Sequence, residues 1–190
     1  MRGQYLLAHT PNKKGEPHYL DKHLYYVSMK AKDFADLFGA GSFAQLVGWF
    51  HDLGKCNPEF QTYLKAKYEG RPHKKVSHAI WGAAVIYKFF VHGFQDTEGW
   101  KELAIPVYGH HVGLPDVGEL INVLSEFLVR KPEAFAIVKG FLKDHGVFLP
   151  PLRLHAPAEQ KQAIRREFFI RMIFSALVDA DYLDTEAHFG

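Results

Sequence analysis

Apolar residues recur at spacings of three and four along almost the whole chain, and this periodicity limits the fold more than any other feature. Between Tyr19 and Phe38, Leu20, Leu24, Val27, Ala31, Phe34, Ala35 and Phe38 fall on one face of a helix. Gly39-Ala40-Gly41 interrupts that pattern, and Ser42 is placed to cap a second helix running through Leu46, Val47 and Phe50 into His51-Asp52, with Gly54 as its end. Pro58 opens a third helix reaching about Lys67, and Ser77 caps one carrying Ala79, Ile80, Ala83 and Ile86. Further helices are predicted from about Glu98 to His110-His111, from Pro115-Asp116 and from Pro132. After a break at Leu149-Pro150-Pro151, a long final helix follows Pro157, with Ile164, Phe168, Met172 and Leu177 inward. Thr10 to Pro17 and Tyr68 to Lys75 read as loops, and no alternating run competes as a strand. The expected fold is an all-α compact helical bundle. At 190 residues and 47% hydrophobic, the chain is long enough for one well-filled domain and short for two, so residues 1–190 are read as a single domain.

Charge and cysteine content narrow the setting. A formal net charge of +2 neither demands nor excludes nucleic acid, because a small sum can conceal a basic face. The lone cysteine, Cys56, cannot form an internal disulfide, which favours a reducing, cytoplasmic location. No stretch has the length and apolarity of a membrane span, and Met1 to Ala8 carries no signal-peptide pattern.

The 12 histidines carry the chemistry. His51 and Asp52 are neighbours near a helix end, where the chain can bend and bring both side chains to one ion; the two oxygens of Asp52 could bridge two ions. By itself such a pair also suits an ordinary surface. His110-His111, flanked by Val107-Tyr108 and Val112-Gly113, is costly to bury without a cation or carboxylate partner. His78 opens an apolar helix, and His23 lies beside Leu24 and Val27. Asp181 follows Leu177 and Val178 by four and three residues on the apolar face of the last helix, and is preferred to Asp179 as a site carboxylate. A donor set of nitrogen and oxygen without thiolate suits Mn, Fe, Ni, Co or Mg more than structural zinc. Lys55, one turn beyond the dyad, could neutralise a phosphate oxygen or equally be a surface lysine.

In their order, His23, His51-Asp52, His78, His110-His111 and Asp181 resemble the HD superfamily of metal phosphohydrolases. More narrowly, the chain resembles the HD nuclease domain of the type I CRISPR-associated nuclease–helicase, the third Cas protein. The motifs carrying this resemblance are HDLGK followed by Pro58-Glu59-Phe60-Gln61, then Ser77-His78, Gly109-His110-His111-Val112-Gly113 and Ala180-Asp181-Tyr182-Leu183-Asp184-Thr185. The resemblance implies an all-α bundle with two divalent transition metal ions. His23, His51, Asp52 and Asp181 would hold the first ion; Asp52 would bridge to a second held by His78, His110 and His111. Lys55 would stabilise the transition state. The implied substrate is single-stranded DNA, supplied by a CRISPR helicase module acting with a crRNA-guided surveillance complex. No P-loop is present in this chain. Lys65, Lys67, Arg71, Lys74 and Lys75, interleaved with Tyr63 and Tyr68, could track a strand or form a solvated loop. Two other functions remain open from the residues: hydrolysis of small nucleotides (a cyclic dinucleotide or a dNTP) at the same centre, and a non-catalytic helical binding module.

Overall fold

The structure is a computed structural model that describes residues 5–90, 99–146 and 163–190. Among them are eight α-helices: α1 (Leu20–Asp36), α2 (Gly41–Phe50), α3 (Pro58–Tyr68), α4 (Ala79–Lys88), α5 (Trp100–Gly109), α6 (Val117–Arg130), α7 (Ala134–Asp144) and α8 (Ala163–Phe189). The chain is an all-α helical bundle. A short 3-10 turn, Leu53–Cys56, links α2 to α3.

α1 packs against α2 and α8, α4 against α5, and α5 against α8. Leu20, Leu24, Val27, Ala31 and Ala35 of α1 are fully buried, as the three-and-four spacing predicts. Burying each large aliphatic side chain contributes about 1.5–3 kcal/mol. His23 lies on that same face and is also fully buried, so the core itself delivers it to the interior.

Helix starts agree with the sequence where a side chain caps them. Asn57 accepts from the Glu59 N–H at 2.9 Å ahead of Pro58, and Asp116 accepts from the N–H groups of Gly118 and Glu119. Ser42 and Ser77 do not cap: Ala40 and His78 precede α2 and α4, neither with a side-chain bond.

Three expectations need correction. Two strands, β1 (Leu7–His9) and β2 (His18–Tyr19), form an antiparallel ribbon around the predicted loop; a pair this short shows no alternation to read. Gly54 does not end α2 but sits within the 3-10 turn, where a Cβ would lie 2.1 Å from the His78 carbonyl oxygen. In α8, Ile164 and Phe168 are exposed, at 80% and 65%, and Met172 is only half-buried. The buried stripe is Ile170, Ile173, Ala176, Leu177 and Ala180. Residues 168–174 are apolar nearly all round, so spacing left the phase of the stripe open by about one residue, or roughly 100°. The predicted break at Leu149-Pro150-Pro151, the start near Glu98 and Pro157 lie outside the described residues.

Candidate metal centre

Four helix ends and the turn after α2 converge on one carboxylate. α2 stops at Phe50, so His51 continues the helical path while Asp52 (φ −111°, ψ 12°) turns out of it. That turn lets two consecutive side chains face the same point, which a continuous helix forbids. Asp52 is 1% exposed and His51 is fully buried.

The two oxygens of Asp52 face different partners. Oδ2 lies 3.0 Å from His23 Nε2 and 3.4 Å from His51 Nε2; Asp181 Oδ1 joins this group at 3.5 Å from His23 and 3.6 Å from His51. Oδ1 lies 2.9 Å from His78 Nε2 and 3.5 Å from His110 Nε2, and His78 Nε2 is 2.9 Å from His111 Nε2. Two groups result, each with all its donor atoms within 4.8 Å of one another: His23, His51, Asp52 and Asp181, and Asp52, His78, His110 and His111. Asp181 comes to the centre, whereas Asp179 is exposed. His110 is buried and His111 sits at the rim, so the imidazole pair is not buried together.

Orientation of the rings favours cation binding. His51 Nδ1 donates to the Gly48 carbonyl and His110 Nδ1 to the Val107 carbonyl, each at 2.7 Å, which turns both Nε2 atoms inward. His23 Nδ1 donates to Asp184 Oδ2 at 2.7 Å with the same consequence. Despite their short approaches, Asp52 Oδ1, His110 Nε2 and Asp181 Oδ1 are buried without a hydrogen-bond partner among the described residues. Buried orphan acceptors are costly, and a divalent cation in each group would satisfy all three. The residues therefore fit divalent metal.

Burial and paired charges set the electrostatics of the centre. Burial opposes charge on Asp52, but Lys55, His51 and His78 hold its carboxyl well below the usual range. Burial likewise opposes charge on His51, yet Asp52 and Asp181 outweigh it and push the imidazole up to about 10. At the other group burial dominates: it pushes His78 down, and His111 down to about 3, with His110 adding to the effect on His111. Lys55 is 3% exposed, and its Nζ lies 2.5 Å from Asp52 Oδ2. It is thus a buried cation at the centre, not a surface lysine.

The basic residues are more scattered. Lys65 and Lys67 are exposed on α3, and Arg71, Lys74 and Lys75 are exposed beyond it. Arg71 is paired with Glu69 at 2.5 Å. Of the five, Lys75 lines a cavity of 290 Å³ that opens beside His78 and His111, together with Ile80, Tyr108 and Val112.

Sequence reasoning passed over three residues around the centre. His9 and His18 lie on the unpredicted ribbon, and Asp184 was noted only as part of a motif. The Asp181-x-x-Asp184 spacing, three apart on one helix face, was the available signal for Asp184.

A family model described as the HD domain of Cas3 matches residues 19–173. The chain belongs to the Cas3 HD-domain family. Over 71 residues, 36% of its length, it is 39% identical to the CRISPR-associated nuclease/helicase Cas3 of Haloferax volcanii; that stretch spans 7% of the relative. Membership in the Cas3 HD family indicates a hydrolase of the nuclease and phosphohydrolase kind in a CRISPR context, and HD domains bind divalent metals. Among the described residues, no helix is long and apolar enough to cross a membrane.

Proposed function

We propose that residues 1–190 act as a single nuclease domain that cleaves single-stranded DNA by two-metal hydrolysis in CRISPR interference. The observation carrying this reading is Asp52, whose two oxygens serve two separate donor groups. His23, His51, Asp52 and Asp181 would hold one ion, and Asp52, His78, His110 and His111 the other. When bound, the ions supply Lewis acidity to the hydrolysis of a phosphodiester. The chain's own contribution is to hold seven side chains with their donor atoms turned inward and to place the buried Lys55 ammonium beside Asp52. There the ammonium neutralises charge on a phosphate or leaving oxygen. Transition metals such as Mn, Fe, Ni or Co, with Mg as a further candidate, match the nitrogen-rich donors.

The strand would be delivered by a helicase partner acting with a crRNA-guided surveillance complex in the cytoplasm; the name of the Haloferax relative joins nuclease and helicase in one protein. Lys75, beside the opening near His111, is the best placed of the basic residues to meet a backbone phosphate. The test is incubation with Mn²⁺ and circular single-stranded DNA, in parallel with cyclic dinucleotides and dNTPs. Metal-dependent cutting of the DNA, lost in Asp52→Ala, is expected. Hydrolysis of the small nucleotides alone would replace this reading with a nucleotide phosphohydrolase.

A further inference from the structure

The β1–β2 ribbon places the half-buried His9 against Lys55 and the buried His18 behind it, and their hydrogen bonds can be assigned in only one direction. Lys55 Nζ lies 3.1 Å from His9 Nε2. An ammonium only donates, so His9 Nε2 accepts and the His9 proton sits on Nδ1. His9 Nδ1 is 3.0 Å from His18 Nδ1, which must therefore accept. His18 then carries its proton on Nε2, and that nitrogen meets Asp184 Oδ2 at 3.0 Å. The same carboxylate oxygen accepts from His23 Nδ1 at 2.7 Å, and His23 Nε2 faces Asp52. The path closes on itself: Asp52, Lys55, His9, His18, Asp184, His23 and back to Asp52.

We propose that His9 and His18 are positioning residues that fix the Lys55 ammonium and the His23 tautomer at the metal centre. The proposal rests on the nuclease reading for its effect on rate, but not for the network itself.

Three observations support it. His9 and His18 are cross-strand partners in the ribbon, so the five strand residues have the pair as their common product. Gln61 ties the ribbon to the turn bearing Lys55: its side chain accepts from the Leu7 N–H at 3.0 Å and donates to the carbonyls of Leu7 at 2.9 Å and Lys55 at 2.6 Å. Of the three ammonium donors, one meets Asp52 and one meets His9. The third has no hydrogen-bond acceptor among the described residues, with only the Phe60 ring 5.9 Å from the nitrogen, and is left for a substrate oxygen.

The rival occupant is a third metal, because His9, His18 and His23 also lie close enough together to hold an ion. Long-range proton–nitrogen NMR of ¹⁵N-labelled, metal-free protein separates the two. The expected spectrum shows His9 as the Nδ1–H and His18 as the Nε2–H tautomer; the reverse assignment for His9 overturns the proposal. In the metal-loaded protein, His9→Leu should lower kcat on single-stranded DNA about 10-fold or more, in the range of outer-shell changes. KM and metal stoichiometry should stay unchanged. His9→Gln, whose amide can both accept from Lys55 and donate to His18, should restore most of the rate. Loss of one metal equivalent in His9→Leu, or equal loss in both variants, overturns the proposal. If the wild-type protein cuts no DNA, the nuclease reading fails while the NMR arm still decides the network.

Discussion

His23 and Asp184 are joined by a 2.7 Å hydrogen bond from Nδ1 to Oδ2, between α1 and the last turns of α8. The bond makes Nε2 the free nitrogen of His23 and turns it to Asp52. Asp184 itself is held below the usual carboxylate range: burial acts against its charge, but His18 and His23 outweigh it. A carboxylate behind a ligating imidazole raises its basicity and fixes its ring, and its removal commonly costs about 10–100-fold in metal affinity. Asp184→Ala should therefore weaken Mn²⁺ binding by about that factor while leaving helicity intact. Calorimetric titration measures it, and unchanged affinity would remove Asp184 from the centre.

Gly54 is a second point of leverage. A Cβ there would lie 2.1 Å from the His78 carbonyl oxygen and 2.8 Å from Trp81 Cβ, with backbone on one side of the contact. Gly54→Ala should push the 3-10 turn away from the start of α4, separating Asp52 from His78. Overpacking of this kind costs about 1–3 kcal/mol. Urea unfolding should show that loss, together with weaker metal binding than the wild type. A variant as stable as wild type would mean that the turn relaxes freely.

These two residues also show what the sequence could and could not express. The helices were legible because their faces are regular: the buried residues of α1 lie where spacing puts them, and His23 among them. The ordered histidines and Asp181 pointed to a cluster because apolar flanks marked helices that would carry them inward. Gly54 reads as a helix stop in sequence, since a glycine required by a close approach looks the same there as one required by a turn. His9 and His18 could not be found by periodicity, because their pairing depends on a ribbon too short to have a period. The stripe of α8 was misphased because Phe168 to Phe174 offers apolar residues on nearly every side.

Metal removal should be visible as lost stability. The two donor groups keep buried orphan acceptors in the metal-free protein, and an ion that binds only the folded chain stabilises it by mass action. At 100 times Kd, one site contributes about 2.7 kcal/mol. For a chain of this size that corresponds to roughly 5–10 °C in Tm. Adding EDTA to the loaded protein should lower Tm by at least this much, and re-adding Mn²⁺ should restore it. Identical melting curves with and without chelator would mean that the centre holds no tightly bound metal.

Cys56 reports on the same turn from its far side. The residue is 4% exposed, and burial pushes its thiol up to about 12. Only the thiolate reacts, so at pH 8 the native protein presents very little reactive thiol, and a buried one. Labelling with a disulfide reagent should therefore follow opening of the 3-10 turn. That turn begins directly after Asp52, so opening it displaces the carboxylate shared by both donor groups. Bound metal must oppose the opening by its own binding free energy, which at 100 times Kd makes labelling about 100-fold slower. The measurement is the labelling rate at pH 8 with Mn²⁺ and after chelation. Equal rates would show that the turn opens without disturbing Asp52.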